Sequence, residues 1–157
     1  MVRAAHAHGT AGHAAARPRS TTAYDWGREG EARRVQRTVV VTMSDRMRFT
    51  PDLIELRQGQ TLRLRVRNAG RAMHELVLGT RDELERHAEL MKRFPGMEHD
   101  EPYMAHVPPG GQADIVWTFD RAGTFMYGCL VPGHWEAGMQ GQVVVRPAMS
   151  SSPPAPR

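Results

Sequence analysis

Between residues 35 and 146 the chain runs as short apolar stretches cut by Gly, Pro, Asn and Asp, at 35–43, 53–57, 61–67, 74–78, 113–119, 124–129 and 142–146. Segments of this length, rich in β-branched and aromatic residues and separated by turn formers, predict the strands of an all-β sandwich. The alternation is clearest from Leu62 to Arg67, where a period of two puts Leu62, Leu64 and Val66 on one face and Arg63, Arg65 and Arg67 on the other. Ile115, Trp117 and Phe119 alternate likewise. Phe125, Tyr127 and Cys129 share one parity, which sets Cys129 at the end of a strand whose inward residues are bulky.

One region breaks the strand rhythm. Leu84, His87, Ala88 and Met91 recur at helical spacing among charged residues, and Pro95-Gly96 follows, so one short surface helix is predicted around 81–94, inserted between strands. Residues 97–106 read as an irregular loop. Residues 1–34, rich in Ala, Gly, Arg and His, and the Pro/Ser-rich 147–157 show no apolar period and are expected to be a disordered arm and tail around a single folded unit, 35–146.

Charge changes this picture little once it is located. Residues 1–37 hold seven Arg against Asp25, Glu29 and Glu31, so the whole formal excess of +4 lies there and the remainder is neutral. A solvated basic arm on a neutral domain gives no reason to expect a nucleic-acid partner. No stretch approaches the roughly 20 apolar residues of a membrane span, so membrane insertion is not expected. A single cysteine rules out an intramolecular disulfide and turns attention to what surrounds it.

Cys129, His134 and Met139 are each separated by four residues, in a loop supplied with Pro132, Gly133 and Gly138. Thiolate and thioether are soft donors and imidazole is intermediate; the mixture suits copper in both oxidation states better than zinc, magnesium or calcium. Two His and a Cys with a weak axial Met make a blue-copper site, so a second His is needed. His74 is the candidate, at the start of an apolar strand that follows the turn-forming 68–73. Singly, each of the four has an ordinary structural reading as a buried thiol, a core Met or a loop His; together they predict one copper ion.

Neighbouring residues are assigned by strand geometry and composition. Glu75 reads as solvent-facing, because adjacent strand residues point to opposite faces. Glu136 reads as an exposed loop acid and Met73 as core packing. Leu130, Val131, Pro132 and Trp135 suit an apolar shell, with Trp135 beside His134 in a small docking patch. Met97, His99, Met104 and His106 could take a second copper ion, whereas His6, His8 and His13 would bind copper only weakly from a flexible arm.

Phe49-x-Pro51, Gly59-Gln60-Thr61, Asn68-x-Gly70, His74-Glu75 and Cys129-x4-His134-x4-Met139-x-Gly141 together resemble the cupredoxin, or blue-copper, family over about residues 38–146. The ligand spacing is similar to that of the rusticyanin variant. The resemblance implies a Greek-key β-sandwich with copper at one end and one-electron chemistry. The helix and the 97–106 loop look more like periplasmic cupredoxins associated with copper tolerance.

Enzymatic copper chemistry is not expected. A trinuclear oxidase cluster needs several His-x-His pairs, and only His6-Ala7-His8 has that form; a binuclear centre needs a second loop Cys, where Gly133 stands. The expected function is an exported one-electron copper carrier serving copper tolerance, monomeric, with a redox or copper-handling protein as partner. The alternative is a sequestration or delivery protein with the additional Met/His site and no carrier role. Met1–Ser20 shows no apolar run of the export-leader kind, so a periplasmic or extracellular location is expected from the chemistry and the family.

Overall fold

The alternation becomes two sheets. The computed structural model describes residues 17–97 and 99–149. In chain order its elements are β1 (Ala23–Tyr24), β2 (Gly27–Glu29), β3 (Arg37–Ser44), β4 (Arg48–Thr50), β5 (Leu53–Arg57), β6 (Thr61–Asn68), β7 (His74–Gly79), α1 (Arg81–Arg93), β8 (Met104–Val107), β9 (Gln112–Phe119), β10 (Gly123–Gly128) and β11 (Gln140–Arg146). One sheet has the order β1-β2-β9-β6-β3-β4, the other β5-β11-β10-β7-β8. Strands β3 and β6 are parallel, as are β5 and β11, and the remaining pairs are antiparallel.

The pleat of β6 sorts its residues as its sequence requires. Leu62, Leu64 and Val66 are buried, while Arg63, Arg65 and Arg67 face outward, Arg65 making two 3.1 Å hydrogen bonds to Asp114. Trp117, Phe119, Phe125 and Tyr127 fill the space between the sheets with the aliphatic residues of β3, β5 and β7. This is the Greek-key β-sandwich expected, with α1 as its single α-helix among the described residues.

Strand β7 is buried along its whole length because both faces are covered. Leu76 and Leu78 enter the inter-sheet core, and Val77 packs outward against Leu84, Ala88, Met126, Leu130 and Trp135 in a second, smaller core under α1. The helix starts on a capping box: Thr80 Oγ1 accepts from the Glu83 N–H at 3.2 Å, and Glu83 accepts from the Thr80 N–H at 3.3 Å.

Two expectations need correction. Residues 17–34 are not a disordered arm: β1 and β2 extend the first sheet, and Trp26, 1% exposed, stacks on Trp117 with ring centroids 4.8 Å apart. Tyr24 and Trp26 supply the apolar area for that attachment, hidden in a stretch whose composition is otherwise polar. The irregular loop ends sooner than read, because Met104–Val107 pairs with β7. Residues 147–149 carry no regular element, whereas 1–16 and 150–157 lie outside the described residues.

Register brings the site together. Parallel pairing of β3 with β6 matches Met43 to Asn68, so the turn after β3 and the segment leading to His74 leave the sheet at one end. Antiparallel pairing of β7 with β10 matches Val77 to Gly128, which places the start of β7 beside the loop beginning at Cys129.

Candidate metal centre

The loop between β10 and β11 is closed at its base by its own backbone. The Cys129 N–H donates to the Met139 carbonyl at 3.2 Å, and the Met139 N–H donates to the His134 carbonyl at 3.1 Å. His134 is carried by a turn in which its N–H reaches the Val131 carbonyl at 2.9 Å, helped by Gly133 at φ +86°. Trp135 folds back over Gly128, where a Cβ would strike the indole ring, so a glycine is required there for the loop to lie flat on the second core. Trp135 is therefore buried, not the docking patch expected of it, and Pro132 and Gly133 form the exposed rim beside His134.

His74 Nδ1, His134 Nδ1 and Cys129 Sγ converge within 4.8 Å of one another. The sulfur lies 3.3 Å from His134 Nδ1 and 4.0 Å from His74 Nδ1. His74, Cys129 and Met139 are fully buried and His134 is partly exposed. Among the described residues this is the one group of three or more His, Cys, Asp or Glu donors that meets in this way. Met139 is anchored at the base of the same loop by its backbone, next to Cys129.

Three residues to which the sequence assigned no supporting role hold these donors. Asp45, in the turn after β3, accepts from His74 Nε2 at 2.9 Å, which leaves Nδ1 facing the sulfur. The same carboxylate accepts from the backbone N–H groups of Arg71 at 2.7 Å and Ala72 at 3.2 Å, tying down the segment before His74. Asn68, 2% exposed, donates to the carbonyls of Ala72 and Val107, each at 2.8 Å, and accepts from the Gly70 N–H at 2.9 Å. A metal-ligating histidine needs an acceptor for its other ring nitrogen. That requirement, with the β3–β6 pairing, is the signal that points to Asp45.

Glu75 is the third. It is 5% exposed and not the solvent-facing residue expected, because α1 and the ligand loop pack on the outer face of β7 and the His106 side chain of the adjoining β8 lies against the carboxylate. Its N–H donates to Cys129 Sγ at 3.4 Å, and its Oε1 accepts from the Leu130 N–H at 3.1 Å. Oε2 sits 2.9 Å from His106 Nδ1. Burial pushes the Glu75 carboxyl above its ordinary range, and His106 and the Leu130 N–H pull it back. Glu136 is exposed as expected, 3.0 Å from Lys92 Nζ.

The donor set fits copper. Burial lowers the pKa of His134, with His74 adding to the effect, which favours the neutral imidazole that a metal requires. Burial pushes the Cys129 thiol up to about 12, against smaller opposing effects of the Glu75 and Val131 N–H groups, so a proton must leave when a metal takes the sulfur. One soft sulfur with two imidazoles in a buried pocket suits a metal that is stable at low coordination number in either of two oxidation states.

The residues read as a second site are also brought together. Met97, His99, Met104 and His106 line one cavity of about 190 Å³ on the far side of Glu75. His106 is spent within it: Nδ1 meets Glu75, and Nε2 meets the His99 carbonyl at 3.1 Å. Met73, expected in the core, is 45% exposed and lines the cavity too, as do His87 and Met91 of α1.

A two-sheet sandwich with a buried Cys and two His at one end defines a cupredoxin. Residues 35–146 match the copper binding proteins of the plastocyanin/azurin family, and the chain belongs to that family, with copper as its metal. It is 48% identical over 143 residues to the copper-resistant cuproprotein CopI of Rubrivivax gelatinosus, covering 91% of this chain and 86% of that one. Among solved structures, auracyanin B shares the fold at a TM-score of 0.62 and 21% identity, covering 80% of this chain and 97% of its own. Auracyanin A, a "blue" copper protein of Chloroflexus aurantiacus, is 26% identical with a TM-score of 0.57, covering 69% of this chain and 98% of its own.

Proposed function

We propose that the chain would hold one type 1 copper ion through His74, Cys129 and His134, with Met139 as a weaker fourth donor, and carries single electrons in the service of copper tolerance. Convergence of one thiol and two Nδ1 atoms at a buried sandwich end carries this assignment. The likeness to auracyanin A supports the blue-copper part, and the copper-resistant CopI relative supports the tolerance part.

Bound at this site, copper supplies a one-electron couple between Cu(I) and Cu(II). The chain supplies the constraints. Asp45 fixes the His74 ring, the Cys129–Met139 backbone contact closes the base of the loop that carries Cys129, His134 and Met139, and the Glu75 N–H draws electron density from Cys129. Donors held in this way have little to rearrange when an electron arrives. His134 is the partly exposed member and offers the route to a redox or copper-handling partner across Pro132 and Gly133. No catalytic reaction is assigned, since burial of His74, Cys129 and Met139 denies a substrate direct approach to the metal. The protein works outside the cytoplasm, as a monomer.

Potentiometric titration tests the carrier role: the visible colour should bleach and return reversibly with one electron per copper. A colour that is lost irreversibly on reduction contradicts it. Deleting the gene tests the rest. Copper sensitivity with normal respiration is expected, and lost respiratory electron flow with unchanged copper tolerance would overturn the tolerance role.

A further inference from the structure

Beyond the type 1 site, soft donors concentrate in the cavity across Glu75. Met73, Met91, Met97 and Met104 line it together with His87 and His99. Four of the chain's ten methionines thus face one space of about 190 Å³. Packing does not explain them all: Met73 and Met97 are 45% and 47% exposed, so their thioethers gain little from burial where they stand. His87 and Met91 are one turn apart on α1 and share a face. The His87 and His99 rings stack with centroids 4.9 Å apart.

We propose that this cavity is a second metal site, selective for copper(I), with the methionine thioethers as principal donors and the His87–His99 pair supplying nitrogen. Thioethers are soft and uncharged; they hold copper(I) and discriminate against zinc, magnesium and copper(II), which need harder or anionic donors. Burial lowers the pKa of His87, with His99 and His106 adding to it, which keeps its lone pair available at neutral pH. His106 is a positioning residue, with both ring nitrogens occupied by Glu75 and the His99 carbonyl. The Glu75 carboxylate on the inner wall offsets the charge of an incoming cation.

The two sites share a wall. Glu75 reaches the cavity with one oxygen and the Leu130 N–H, next to Cys129, with the other, and Val131 and Pro132 of the ligand loop line the cavity as well. The inference rests on the copper-handling reading for the identity of the metal but not on the type 1 ligands.

Anaerobic titration of the full chain with copper(I) against a chromophoric chelator tests it. Two tight equivalents are expected for the unmodified protein and one for a Met91→Leu/Met97→Leu/Met104→Leu variant, in which leucine keeps volume and removes sulfur. That variant should keep its copper(II) colour, which reports that it has folded. X-ray absorption of the unmodified two-copper protein, which does not depend on the variant, should show two or more sulfur neighbours around the second copper. A single equivalent in the unmodified chain, a second equivalent that survives the triple substitution, or a second copper with nitrogen neighbours only would each overturn the site. A colourless copper(II) protein that still binds copper(I) in the cavity would overturn the type 1 assignment alone.

Discussion

Across the turn that follows β3, His74 Nε2 donates to Asp45 Oδ1 at 2.9 Å, and this one contact decides which ring nitrogen faces Cys129. Removing the acceptor frees the ring to rotate and lowers the basicity of Nδ1. Asp45→Ala should therefore weaken copper(II) binding by about 10- to 100-fold while the protein still folds. Competition with a chelator of known affinity measures this, and unchanged affinity would deny Asp45 its positioning role.

Acid exposes the same contact. The Asp45 carboxyl is held at about 2, below its ordinary 3.8, by the Arg71 N–H first and then by His74 and the Ala72 N–H. A carboxyl depressed on folding stabilises the folded state where it is ionised, and loses that effect as pH falls through its folded value. The stability gap between metal-free wild type and Asp45→Ala should thus be constant above about pH 4 and close toward pH 2. Acid unfolding followed by tryptophan fluorescence checks it; a gap that widens on acidification contradicts it.

Copper loading should expel the Cys129 proton. With the free thiol pushed up to about 12, the sulfur is protonated at neutral pH and ionises only as metal binds. Apparent copper(II) affinity should rise by at least about tenfold per pH unit near neutrality, and wild type should release about one proton more per copper than a Cys129→Ala variant. Affinity that is flat with pH would mean that the thiolate is not a ligand.

Glu75 is expected to support the loop rather than bind copper. Glu75→Ala strands the buried Leu130 N–H, which should cost about 1–3 kcal/mol in urea unfolding of the metal-free protein. Glu75→Gln retains an acceptor for Leu130 and should recover most of that loss. Equal effects of the two substitutions would show that the charge, and not the hydrogen bond, matters.

Trp26 tests whether the segment before residue 35 belongs to the domain. Trp26→Ala should destabilise by about 3–5 kcal/mol, as for other large aromatic residues removed from a core. A loss near zero would return residues 17–34 to the status of an appended arm.

Period-two alternation made β6, β9 and β10 legible, because one face of each is buried and the other is wet or lies against a different core. The Cys129 loop was legible for a different reason: its donors are close in sequence, and few other roles ask for thiol, imidazole and thioether at regular spacing. Contacts between distant segments were not. Asp45 and Asn68 reach the site only through the parallel β3–β6 register, and Glu75 read as exposed because no local pattern announces that α1 will cover β7. Short strands without alternation, β1, β2, β4 and β8, escaped for want of enough residues to show a period. Tyr24 and Trp26 were outweighed by the Arg, Gly and Glu around them.

Visible absorption of the copper(II)-loaded chain, compared with a Cys129→Ala variant, tests the central claim most directly. The expected result is an intense thiolate-to-copper charge-transfer band that saturates at one equivalent in the unmodified protein and is absent from the variant. A band that survives Cys129→Ala, or an unmodified protein that binds copper(II) without one, would contradict a type 1 centre at His74, Cys129, His134 and Met139.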